Sequence, residues 1–253
     1  MKVVIIGGTG LIGSKVVAKL TEHGHDAVAA SPATGVNTVT GEGLDEVLAG
    51  ARVVVDVSNS PSFDDGPAMD FFTAATGNLL AAAEKAGVYH YVPLSVVGTD
   101  RLLASGYFRA KQVQEKLITE ADIAYSVIHA AQFFEFVRGI ADAATDDDTV
   151  RVSSALIQPM AAEDVATAVA RTAVGQPVNG ILEVAGPDRF RLDELVRTRL
   201  RASDDTRRVV TDPQAPYFGV VLDAHTLVPG TAATVFPTRF TDWLVDNAPT
   251  PVR

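Results

Sequence analysis

Short apolar runs bounded by turn residues alternate along this chain with stretches whose apolar positions recur every three or four residues. That rhythm predicts a parallel sheet with crossover helices, so the fold class is α/β. Residues 2–7 read as a first strand, 11–23 as a helix and 26–31 as a second strand. Ser31-Pro32-Ala33-Thr34-Gly35 is turn chemistry, and it replaces the next crossover helix with a short loop before a third strand at 36–40. A helix at 44–49 leads into a strand at 52–57. Next come a helix at 67–86 closed by Gly87, a strand at 89–97, a helix at 107–120, a strand at 124–129 and a helix at 133–144. Further on, 162–174 reads as a helix, 180–185 as the last strand and 192–201 as a surface helix. Thr145 to Thr149, with three aspartates, reads as a solvated loop, and Pro213, Pro216, Pro229 and Pro237 mark a loop-rich tail.

The junction of the first strand and helix carries the most specific chemistry. Val3-Val4-Ile5-Ile6 runs into Gly7-Gly8-Thr9-Gly10-Leu11-Ile12-Gly13, a G-x-G-x-x-G spacing in strand-to-helix context. Such a turn brings backbone N–H groups at a helix N-terminus close to a pyrophosphate. We therefore expect a Rossmann-type doubly wound parallel sheet binding a nicotinamide dinucleotide, with Gly7, Thr9, Gly10, Leu11, Ile12 and Gly13 at the phosphates. The second strand ends Ala29-Ala30-Ser31, without the carboxylate that holds a ribose 2′-hydroxyl. This, with Ser31 and Thr34 as hydrogen-bond donors, points to NADP over NAD, although no arginine stands nearby for a 2′-phosphate. Ligands of such sheets sit at the carboxyl ends of the strands, which adds Ser58, Asn59 and the segment 130–133 to the expected lining.

Composition narrows the class. The 253 residues suit one domain spanning 1–253, with 186–253 contributing a small C-terminal substrate lobe. No apolar run approaches the roughly 18 residues of a membrane span, and the apolar start runs directly into the glycine turn, so a cytoplasmic location without membrane partners is expected. The absence of cysteine excludes disulfides, thiolate metal sites and cysteine nucleophiles. A formal charge of −10 repels phosphate backbones and argues against nucleic-acid partners. The arginines between 189 and 208 are interrupted by Asp193, Glu194, Asp204 and Asp205 and read as a solvated face. The five histidines are scattered, so no metal site is expected.

Ser95-Val96-Val97-Gly98 and Tyr107-Phe108-Arg109-Ala110-Lys111, taken with the glycine turn, resemble the short-chain dehydrogenase/reductase superfamily, and within it the atypical NmrA-like branch. Thr76-Gly77-Asn78-Leu79-Leu80, Ala86-Gly87-Val88 and Glu163-Asp164-Val165-Ala166 add to the likeness, which covers roughly residues 1 to 185. The resemblance implies Tyr107 as general acid/base, Lys111 as its tuner and a ligand of the nicotinamide ribose, and Ser95 as the substrate-orienting hydroxyl. The chemistry is coherent. Reducing a carbonyl leaves an oxyanion that needs a proton, and an ammonium one helical turn from a phenol would lower its pKa from about 10. Three departures stand out: Phe72 occupies the place of a relay asparagine, Leu94 and Val96 flank Ser95 where a second serine is usual, and His129 replaces an arginine.

The expected activity is NAD(P)-dependent hydride transfer to a small carbonyl, quinone or related molecule. Two alternatives stay open: an NmrA-like redox sensor that binds cofactor without turnover, and epimerisation or dehydration of a nucleotide sugar. The cluster Phe133, Phe134 and Phe136 is either a substrate wall or core. The resemblance is compatible with a homo-oligomer, a dimer or tetramer, and the sequence leaves that state open.

Overall fold

The computed structural model describes residues 1–247, so the last six positions of the expected 186–253 lobe lie outside the described residues. Val3, Val4, Ile5 and Ile6 are all buried. A strand apolar on both faces needs helices above and below it. Accordingly β1 (Lys2–Ile6) lies inside the sheet, and after α1 (Leu11–Glu22) the chain returns as β2 (Asp26–Ala30), parallel to β1 on one side. A short α2 (Leu44–Leu48) precedes β3 (Val53–Asp56), which pairs with β1 on its other side. The 21-residue α3 (Asp65–Lys85) leads to β4 (His90–Val96), parallel to β3, and α4 (Gly106–Glu120) leads to β5 (Ser126–Ala130).

Beyond β5 come α5 (Val137–Ala143), β6 (Thr145–Asp146), β7 (Thr149–Val152), β8 (Leu156–Ile157), α6 (Ala162–Val174), β9 (Gly180–Ala185), β10 (Phe190–Arg191) and α7 (Leu192–Arg201). The described chain closes with β11 (Arg208–Thr211), β12 (Pro216–Tyr217), β13 (Val220–Val221), β14 (Thr234–Val235) and α8 (Phe240–Asp246). The central sheet is seven-stranded and parallel, in the order β14-β9-β5-β4-β3-β1-β2. This is the expected Rossmann-like α/β architecture. Chain progression reverses between β1 and β3, so the switch-point crevice opens where these two strands end.

Two expectations are corrected. Residues 36–40 form no third strand: the chain turns at Gly35, Gly41 and Gly43, all with positive φ, and Asn37 Oδ1 accepts the N–H groups of Val39 and Thr40. A single bridge between Asn37 and Glu42 replaces sheet pairing, although Val36 and Thr38 are buried as strand residues would be. Likewise 145–149 is not a free loop but the hairpin of β6 and β7, turning through Asp147 at φ 53°. Aspartate tolerates that left-handed geometry better than most residues.

The chain divides into two compact units, one of Met1–His129 with Val165–Leu182, the other of Ala130–Asp164 with Glu183–Arg253. The second therefore draws on 130–164 as well as on the tail. It contains the sheet β11-β7-β6 and an aromatic core in which Phe134 lies 5.1 Å from Phe240 and 5.7 Å from Trp243 between ring centroids. Phe134 is thus core, while Phe136 stacks on Phe218. The arginine-rich helix α7 buries Leu192, Leu195, Val196 and Leu200, and its Asp193 gathers Arg191, Arg197 and Thr211.

Candidate functional site

The glycine turn is built by close packing. A Cβ on Gly13 would lie 2.1 Å from Gly7 O, so α1 can sit this close to the end of β1 only without a side chain there. Gly10 has a different task. It is exposed, caps α1 without any side-chain hydrogen bond, and has only Gly7 O near its hypothetical Cβ, at 3.3 Å. The first amides of a helix have no intrahelical partner, and with Thr9, Gly10 and Leu11 exposed this helix start is open to an anion. Ile12 and Gly13 are buried beneath it.

At the end of β2 one of the two expected donors, Thr34, is turned to local use. Thr34 Oγ1 accepts the Ser31 N–H at 2.9 Å and bonds Ser31 O at 3.0 Å, forming the cap of a 3₁₀ turn at Pro32–Thr34. Ser31 Oγ is buried and has no hydrogen-bond partner among the described residues.

At the ends of β3, β4 and β5, helix α4 brings together a buried polar network. Tyr107, near its start, is 8% exposed and ringed by Phe63, Phe72 and Phe108, with centroids 4.9, 5.9 and 5.3 Å away. Its hydroxyl donates to Asn59 Oδ1 at 2.9 Å. Burial pushes the phenol above its ordinary range, and the Asn59 hydrogen bond opposes this only in part. Lys111 is buried one turn later. Its ammonium donates to Leu94 O at 2.9 Å and to Gln114 Oε1, and lies 4.7 Å from the centre of the Phe72 ring. Burial lowers it to about 8, against the pull of Asp56 and Glu115.

Ser95 Oγ donates to Glu115 Oε1, which also bonds His129 Nε2 at 3.0 Å. Burial alone would push the Glu115 carboxyl up, but His129, the Ser95 hydroxyl and Lys111 outweigh it and hold it below the usual carboxylate range. Asp56, at the end of β3, accepts Ser58 Oγ at 2.6 Å and the Ser58 N–H at 3.0 Å on one oxygen, and Tyr91 Oη at 3.1 Å and Gln114 Nε2 at 3.0 Å on the other.

The structure thus joins Tyr107 to Asn59 and links Ser95 and Lys111 to one carboxylate network, but it forms no hydrogen bond from the Tyr107 hydroxyl to Ser95 or Lys111. In this arrangement the Lys111 ammonium donates to Leu94 O and Gln114 Oε1, and burial sets the direction of the Tyr107 phenol. Sequence reasoning passed over Asp56, Gln114 and Glu115. The available signals were a lone aspartate closing the apolar run Val53-Val54-Val55, and polar residues three and four places after Lys111 on the same helix face. Among the described residues no three His, Asp or Glu side chains form a metal-binding group, and no helix is long and apolar enough to cross a membrane.

No family model matches this sequence. It is 23% identical over 233 residues to the photosystem II assembly factor Ycf39 of Cyanophora paradoxa, covering 85% of this chain and 73% of that protein. It is also 23% identical over 153 residues to Ycf39 of Synechocystis, covering 55% of this chain and 47% of the relative, so the match spans about half the length of that protein. Among solved structures, the UDP-glucose 4-epimerase of Thermus thermophilus in complex with NAD superposes with a TM-score of 0.68 at 16% identity, covering 90% of this chain and 92% of the other. An Escherichia coli NADPH-dependent quinone oxidoreductase complexed with NADPH gives 0.68 at 18% identity, covering 96% and 99%. At these identities the likeness shows a common fold.

Proposed function

We propose that this protein is an NAD(P)-dependent oxidoreductase of the short-chain dehydrogenase/reductase type, acting on a small carbonyl, quinone or related molecule and preferring NADP(H). The chain fits the cofactor at the glycine turn, where the exposed Gly10 and the open start of α1 provide a cradle that a side chain would narrow. The amides of Leu11, Ile12 and Gly13, with Thr9, would hold the pyrophosphate, and Ser58 and Asn59 line the end of β3 beside it. The uncharged end of β2 supports NADP, with Ser31 and Thr34 flanking the ribose end. A bound nicotinamide dinucleotide supplies hydride.

The observation that carries the reading is Tyr107, a phenol at the carboxyl end of the sheet whose hydroxyl meets Asn59 and which stands one helical turn before the buried Lys111. Such a phenol can deliver a proton to a developing oxyanion. Lys111 places a buried positive charge on the same helix face and would contact the ribose, while the Ser95 hydroxyl, which donates to Glu115 in the ligand-free chain, would turn to donate to the substrate oxygen. Tyr107→Phe is expected to slow NADPH consumption with a panel of aldehydes, ketones and quinones by at least about 100-fold while cofactor binding persists. Turnover at the wild-type rate in this variant rejects the assignment.

A second reading, cofactor sensing without turnover, gains support from the engagement of Ser95 and Lys111 in internal hydrogen bonds and from the likeness to assembly factors. Tight NADPH binding with no turnover of any panel member would favour it.

A further inference from the structure

Three glutamines are buried in this chain: Gln114, Gln132 and Gln158. Gln114 is satisfied at both ends, donating to Asp56 and accepting from Lys111. Gln158 is too, donating to Gly186 O at 2.8 Å and accepting from Arg189 Nε at 2.9 Å. Gln132 is only 5% exposed, yet neither its Oε1 nor its Nε2 has a partner among the described residues.

The backbone around Gln132 is firmly held. Ala131 N–H donates to Val184 O at 2.9 Å, Met160 N–H to Gln132 O at 2.9 Å, and Phe134 N–H to Met160 O at 2.9 Å. Glu135, three residues on, is paired: its carboxylate accepts the Ala162 N–H and Trp243 Nε1. A fixed backbone with one unpaired amide among paired neighbours is a costly arrangement for folding alone, since buried polar groups are almost always hydrogen-bonded. Gln132 also follows directly on β5, at the end of the strand where ligands of such sheets lie.

We infer that Gln132 is a ligand-recognition residue reserved for a group that presents a hydrogen-bond donor and an acceptor side by side, as a carboxamide, lactam or imide does. Such a group satisfies Oε1 and Nε2 together. A plain ketone or quinone offers acceptors alone and leaves Oε1 unpaired. The amide belongs to a small-molecule ligand of the unit that holds Gln132, and this does not depend on the proposed function.

The test uses the full chain and Gln132→Met, which keeps the side chain's length and removes both polar groups. The ligand-free variant is expected to melt at or above the wild-type temperature, because an unpaired amide gives way to an apolar side chain. In calorimetry the wild type binds benzamide more tightly than acetophenone, which lacks the amide N–H. The preference is at least about tenfold and falls to within about twofold in the variant. A variant that melts clearly below wild type shows an amide that is structurally satisfied and overturns the inference. So does equal binding of benzamide and acetophenone by the wild type, or discrimination that survives the substitution.

Discussion

Lys111 shows how far burial can move one group. The unfolded chain keeps its ammonium proton to the ordinary 10.5, whereas the folded chain releases it near 8. Between those values the unfolded state binds more protons, so this residue's contribution to stability rises with pH. Chemical denaturation of wild type and Lys111→Met at several pH values should show the difference moving in the wild type's favour by about 3 kcal/mol from pH 8 to 10.5, with no such drift at lower pH. A constant difference would mean that the ammonium is better solvated than its surroundings indicate. The residue types at Ser95, Tyr107 and Lys111 were legible in the sequence, but their partners were not. A one-dimensional pattern places Tyr107 and Lys111 on one face. It does not say that Phe72 would fill the space beside them or that Glu115 would capture the Ser95 proton.

Among the elements, those with long periodic patterns were the most readable. The predicted helices at 67–86, 107–120 and 162–174 appear as Asp65–Lys85, Gly106–Glu120 and Ala162–Val174. The segment 36–40 misled because alternating burial of Val36 and Thr38 looks like a strand, whereas three left-handed glycines decide the backbone path. The turn into α1 separates packing from binding in a way that two substitutions can expose. Gly13→Ala sets a methyl 2.1 Å from a backbone oxygen and should cost about 1–3 kcal/mol of folding stability or more, read by denaturant titration. Gly10→Ala meets only Gly7 O, at 3.3 Å, and should cost much less stability than Gly13→Ala while weakening NADPH binding in calorimetry. Equal effects of the two on folding would remove Gly10 from the cradle.

For the whole molecule, the parallel α/β class followed from the order of strands and helices. The division into units did not, because residues 130–164 join the C-terminal part through contacts distant in sequence. Cofactor binding at the first unit is expected to stabilise the fold: NADPH at about 100 times its dissociation constant should add about 2.7 kcal/mol, visible as a raised melting temperature. No shift at saturating NADPH or NADH would argue against a dinucleotide site in the folded chain.

The turning back of residues 36–43 leaves β2 as the last strand on its side of the sheet. An outermost strand carries a row of backbone donors and acceptors that strands of neighbouring molecules can recruit. Here that row begins at the exposed Asp26 and is followed at once by Ser31 and Pro32. A charge at one end and a proline just past the other both discourage intermolecular pairing. The missing third strand therefore leaves a sheet margin whose flanking residues disfavour recruitment of a further strand.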